Sequence, residues 1–148
     1  MEWPVVLIAD DDEDDVFLLE HAFRKANIAA RLMVVPNGEE AIGYLSGEGK
    51  YGDRNTYPWP ALMLLDLKMP KVDGFEVLTW WREQGKERKL AIVVMSTSNH
   101  EVDIKRAMAL GAAAYRVKPS DFEYLLAVAE EVRDNWLVHK RVSESVNQ

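Results

Sequence analysis

The chain of 148 residues contains no cysteine. Disulfides, thiolate metal sites and cysteine nucleophiles are therefore excluded at the outset. Positive charge is scarce as well: 18 Lys and Arg stand against 25 Asp and Glu, a net charge of −7. No Lys/Arg-rich run is present to release counterions from phosphates, so a nucleic-acid-binding surface is not expected. Long apolar runs are also missing. No stretch approaches the roughly 18 residues of a membrane span, and the opening "MEWPVVLIAD" has no basic leader. The expectation is a soluble cytoplasmic protein with neither nucleic acid nor membrane as partner. At this length one domain, 1–148, is expected, without room for a separate output domain.

What is abundant is acid in one place. "ADDDEDD", Ala9–Asp15, sets six acidic side chains in a row directly after the apolar run "VVLIA". Carboxylates this close raise one another's pKa or demand a cation. Either a cation belongs there or the run is a solvated helix start.

Strand-length apolar runs alternate with helical patterns along the chain. They are "VVLIA" (5–9), "RLMVV" (31–35), "ALMLL" (61–65), "LAIVVM" (90–95) and "AAYRV" (113–117). Three are apolar almost without alternation, as in central strands of a parallel sheet covered on both faces. Capping-box patterns at Asn37/Glu40, Asp73/Glu76, Ser98/Glu101 and Ser120/Glu123 predict helix starts between them. Gly111 suits a left-handed C-cap, and Phe122, Leu125, Leu126, Ala129, Val132 and Trp136 form a core stripe on the last helix. Five βα units with right-handed crossovers give an α/β fold, a doubly wound parallel sheet with helices on both faces, whose ligand site lies beyond the carboxyl ends of the strands.

The residues just past those ends are Asp10 and Asp11, Asp66, Ser96, and Lys118 with Pro119. Three carboxylates, a hydroxyl and an ammonium would thus converge on one edge. Mg²⁺, a hard cation typically held by one or two carboxylates and waters, fits such a site. Phosphoryl transfer is the matching chemistry: Asp66 as nucleophile, Lys118 and a metal spreading charge over the phosphoryl oxygens, and Ser96 donating to one of them. Asp12, Glu13, Asp14 and Asp15 fall in the first turn of helix one, where negative charge favours the helix dipole, and read as a solvated cap. His21, His100 and His139 lie on separate helices without ligand spacing and are assigned no chemistry.

"LIADD", "LLDLKMPKVDGFEVL", "VVMSTS" and "GAAAYRVKP" together resemble the successive signatures of response-regulator receiver domains of two-component signalling, from Val5 to about Val132. The spacings of 30 residues from Asp66 to Ser96 and 22 from Ser96 to Lys118 agree with that family. The resemblance implies a five-stranded flavodoxin-like sheet of order 2-1-3-4-5 and a single-domain regulator, not an enzyme beyond its own phosphoryl transfer and dephosphorylation. Asp66 would be the phosphoacceptor; Asp10 and Asp11 the acidic pair; Asp11, Asp66 and the backbone carbonyl of Lys68 metal ligands. Lys118, with a cis bond to Pro119, would be the phosphate-sensing lysine. Ser96 and Tyr115 would form the switch, Tyr115 turning inward as Ser96 moves to the phosphoryl group. The implied partner is a sensor histidine kinase; a homodimer is left open.

Two features depart from a minimal receiver. The Gly/Pro/aromatic insertion "SGEGKYGDRNTYPWP", 46–60, is longer than most connections, and resembles insertions in single-domain receivers that partner bacterial phytochromes. It is either a loop without function or a partner surface carrying Tyr57 and Trp59. The tail 136–148 is expected to extend the last helix and then fray. Other α/β phosphate chemistries fit less well. A haloacid dehalogenase-type hydrolase resembles D-x-D, where this chain has Lys68, and a flavin site needs a Ser/Thr/Gly-rich phosphate loop where this chain is acidic.

Overall fold

The computed structural model describes residues 3–85 and 88–138. Five strands, β1 (Val5–Ala9), β2 (Arg31–Val35), β3 (Leu62–Leu65), β4 (Ala91–Ser96) and β5 (Ala114–Val117), form one sheet of order β2-β1-β3-β4-β5. Every pairing is parallel. The helices are α1 (Glu13–Lys25), α2 (Gly38–Ser46), α3 (Gly74–Gln84), α4 (Glu101–Ala109) and α5 (Phe122–Val132). The doubly wound fold read from the apolar runs is the observed one.

Alternate residues of the central strands feed two cores. Leu7, Met63, Leu65, Ile92 and Val94 face the side of α2, α3 and α4, packing with Tyr44, Val77 and Ala107. Val6, Ile8, Leu62, Leu64 and Val93 face α1 and α5, packing with Phe23, Leu125 and Ala129. Burial on both faces is why these strands read as unbroken apolar runs. On α1 the buried residues are Val16, Leu19, Ala22 and Phe23, one stripe at helical spacing. The α5 stripe also packs as expected, with Phe122, Leu126 and Trp136 partly buried at its margin and Val128 added to it.

The capping patterns divide. Asn37 accepts from Glu40 N at 2.8 Å, and Asp73 with Glu76 completes a reciprocal capping box. Ser120 is not a cap: Asp121, one residue on, accepts from Tyr124 N at 2.8 Å. Ser98 does not open α4 either. It lies two residues before the N-cap, His100, and its hydroxyl donates to Asp103 at 2.6 Å while accepting from His100 N at 3.3 Å. Gly111 has φ +104°, the left-handed cap after α4.

The insertion is folded onto the body. A 3₁₀ turn, Gly49–Gly52, follows α2, and Tyr51 and Tyr57 pack edge to face with ring centroids 5.0 Å apart. Arg54 donates to the carbonyls of Tyr44 (2.8 Å), Leu45 (3.2 Å) and Tyr57 (3.2 Å), satisfying the free carbonyl end of α2. Trp59 donates to Lys89 O at 3.2 Å, and the Arg88 guanidinium lies 3.8 Å from its ring centroid. Tyr57 and Trp59 therefore spend much of their surface inside the molecule. At the other end of the chain, α5 passes into a π-helical turn, Arg133–Val138. The remainder of the expected 136–148 extension lies outside the described residues.

Candidate functional site

Register brings the site together. Ala9 pairs with both Val35 and Leu65, Leu65 with Val94, and Ser96 with Val117, so β1, β3 and β5 release Asp10, Asp66 and Lys118 at the same edge. Backbone bonds lock the exits: Asp66 N donates to Ala9 O (3.0 Å) and Lys118 N to Ser96 O (2.8 Å). Beyond Asp66 the chain turns tightly, and Gly74 N donates to Leu67 O at 2.9 Å. A Cβ on Gly74 would lie 2.4 Å from Asp66 O. Glycine there is what lets α3 start against the backbone of Asp66. Gly38 is equally tight against Val72 O, at 2.1 Å, a constraint that nothing in its sequence neighbourhood signals.

Oxygens of Asp10, Asp11 and Asp66 lie within 4.8 Å of one another. The Lys118 ammonium donates to Asp10 Oδ2 at 2.9 Å, Asp15 Oδ2 at 2.8 Å and Asp66 Oδ2 at 3.2 Å. Side-chain exposure is 14% for Lys118, 10% for Asp10 and 9% for Asp66. Burial pushes the Asp66 carboxyl above its usual range; the Lys118 charge opposes this and the Asp10 charge adds to it. Burial alone would lower Lys118, but hydrogen bonds to Asp15 and Asp10 and the charge of Asp66 outweigh it, so the ammonium titrates above its ordinary value. One partly buried cation facing the buried Asp66 and the partly buried Asp10, with Asp11 beside them, leaves negative charge uncompensated. The donor set, all hard oxygen, suits Mg²⁺. Lys68 lines a shallow depression together with Asp11 and donates its N–H to Asp66 Oδ1 at 3.4 Å.

Ser96 is fully buried, and its hydroxyl accepts from Ser98 N at 3.1 Å. Tyr115 is already inside, its hydroxyl donating to Ser98 O at 2.9 Å. This corrects the expectation that the ring waits outside for Ser96 to move: the Ser98 carbonyl offers a buried acceptor that holds it in. Ser98 thus links the two residues, one bond on its N–H and one on its carbonyl. No cis peptide occurs among the described residues, so Lys118–Pro119 is trans rather than cis; the backbone bond from Lys118 N to Ser96 O already directs its side chain to the site.

The acidic run divides in an unforeseen way. Asp12 is the N-cap of α1, accepting from Asp14 N (2.9 Å) and Asp15 N (3.2 Å). Glu13 and Asp14 are exposed first-turn charges. Asp15, expected only to cap the helix, reaches Lys118. Helical spacing carries the signal: Asp12 fixes the start of the helix, and the third residue after a cap returns toward the strand end.

Known proteins resemble this chain over most of its length. The chain is 34% identical over 134 residues, 90% of this chain and 83% of the relative, to the probable methanogenesis regulatory protein FilR2 of Methanothrix harundinacea. Among solved structures it is similar to response regulator RPA3017 in red light signaling of R. palustris, with TM-score 0.85, 34% identity, and coverage of 90% of this chain and 94% of that one. It is also similar to the phosphorylated cyanobacterial phytochrome response regulator RcpA, with TM-score 0.82, 30% identity, and coverage of 91% and 94%. Residues 6–130, which hold all five strands but for the first residue of β1, together with the whole acidic edge, match the response regulator receiver domain, and the chain belongs to that family.

Proposed function

We propose that this protein is a single-domain response regulator, residues 1–148 forming one receiver, that accepts a phosphoryl group on Asp66 from a sensor histidine kinase. The observation that carries the reading is the pairing of the buried Asp66 carboxylate with both Lys118 and the Asp10–Asp11 cluster. A carboxylate oxygen of Asp66 attacks phosphorus of the donor's phosphohistidine. The P–N bond breaks as the P–O bond forms, and the released imidazole nitrogen keeps the electron pair and takes a proton. Lys118 is placed to donate to the transferred oxygens. Asp10, Asp11, Asp66 and the Lys68 carbonyl would hold Mg²⁺, which when bound supplies charge neutralisation for the phosphoryl oxygens. The protein acts on no other substrate; its output is a conformational switch.

For the switch, Ser96 leaves Ser98 N to donate to the phosphoryl group. The freed loop then shifts the carbonyl that Tyr115 holds, and the β4–α4–β5 surface follows as a population shift. A phytochrome-type kinase is the proposed donor, supported by the two neighbours named for red light signaling and phytochrome. The test is phosphorylation by a small phosphodonor and by such a kinase in millimolar Mg²⁺, read by intact mass. The native chain should gain one acid-labile phosphoryl group and Asp66→Asn none, with unchanged circular dichroism; an adduct on the variant would overturn the assignment.

A further inference from the structure

The Lys118 ammonium has three N–H donors, and all three are taken, by Asp10, Asp15 and Asp66. Two of those acceptors, Asp10 and Asp66, also belong to the three-carboxylate cluster suited to a cation. Asp15 does not. It is therefore the one carboxylate that faces Lys118 without a second claim upon it, and at 2.8 Å it makes the shortest of the three contacts. Its backbone is held in turn, because Asp15 N donates to the Asp12 cap at 3.2 Å. When a cation draws on Asp10 and Asp66, like charge pushes Lys118 outward, and Asp15, outside that cluster, opposes the push.

We infer that Asp15 is a positioning residue for phosphoryl transfer at Asp66: it anchors Lys118 so that its ammonium stays at the acceptor while the acidic cluster is occupied. The inference rests on the phosphoacceptor reading above. Asp15 touches neither donor nor metal and acts through Lys118. Its side chain is 36% exposed, so screening keeps its hold small, about fivefold in occupancy of the anchored position, equivalent to ~1 kcal/mol.

The test compares Asp15→Asn with Asp15→Glu and with Asp14→Asn, which removes the same charge from the same helical turn without a contact to Lys118. In metal-free protein labelled with ¹⁵N at lysine, the Lys118 ammonium protons should exchange with water about fivefold faster in Asp15→Asn. They should exchange at the native rate in Asp14→Asn and close to it in Asp15→Glu. With acetyl phosphate and Mg²⁺, KM for the phosphodonor should rise about fivefold in Asp15→Asn, whereas Asp14→Asn, by removing repulsion of an anionic donor, should lower KM or leave it unchanged. Native exchange in Asp15→Asn would overturn the inference. So would equal effects in both Asn variants, or failure of Asp15→Glu to recover where Asp15→Asn is defective. A native protein that takes no phosphoryl group would sink the phosphoacceptor reading, while the exchange measurement still decides whether Asp15 anchors Lys118.

Discussion

Lys118→Met tests the electrostatics of the site without needing any phosphodonor. Methionine keeps the apolar stem and removes the ammonium that, alone among the described residues, touches Asp10 and Asp66. Removing one partner of a buried pair costs about 3–5 kcal/mol; because Asp66 can escape part of this by protonating, we expect ~2–4 kcal/mol at neutral pH. The Asp15 contact, on a side chain 36% exposed, adds little after screening. In a chain of this size the loss corresponds to a fall in Tm of about 5–12 °C. The pH dependence has a definite sign. An acid whose folded pKa is raised binds its proton more tightly when folded. Its ionisation therefore destabilises the fold, with no penalty well below the unfolded value of about 3.9 and a growing one as pH rises through the folded pKa. Asp66 is already raised by burial, and without Lys118 it loses the charge that pulls it back down. The deficit of the variant should thus be larger at about pH 7.5 than at about pH 5, the direction in which a raised carboxyl moves it. Urea unfolding of both proteins in chelator-containing buffer at the two pH values measures it. A variant within about 1 kcal/mol of native at pH 7.5, or an equal deficit at both pH values, would refute the reasoning.

Other outcomes follow from the same geometry. Millimolar Mg²⁺ should raise the native Tm, by up to ~2.7 kcal/mol of linkage at a hundredfold excess over its dissociation constant; Asp11→Ala should abolish the rise and, with less self-repulsion, melt no lower than native in chelator. Ser96→Ala should still accept phosphate at Asp66 yet lose the phosphorylation-dependent change in hydrogen exchange around Ser98 and Tyr115. An undiminished change would sever Ser96 from the switch. Arg54→Ala should cost ~1–3 kcal/mol in thermal melting, since it strips a charged donor from three carbonyls, while phosphorylation proceeds at the native rate.

The strands were legible because burial on both faces leaves no room for polar alternation, and Asp10, Asp66 and Lys118 were legible because they follow those strands directly. What could not be read was anything set by side chains meeting across the fold. Asp15 looked like one helix-dipole charge among four, since its partner is 103 residues away in sequence. Ser98 matched a capping pattern but serves as a staple, because Tyr115 and Asp103 reach it from β5 and α4. The inward Tyr115 is likewise set by that distant carbonyl. Gly38 gave no signal, as its constraint comes from the backbone of Val72. For the insertion, composition suggested stiffness but not which surface its aromatics would cover.

The strands all run one way, so the two ends of the sheet are unlike. The acidic edge stands where strands finish, and the Arg54-tied insertion stands where β3 begins. Glu48 and Lys50 in it are exposed, while Gly49 between them, at φ +56°, is a position that favours glycine. A foreign epitope, a dye or a tether attached there would hang from the pole opposite the chemistry, separated from it by the length of the central strands. The fold thus offers a handle by which this receiver can be immobilised or recoded for a new address while its acidic edge stays untouched.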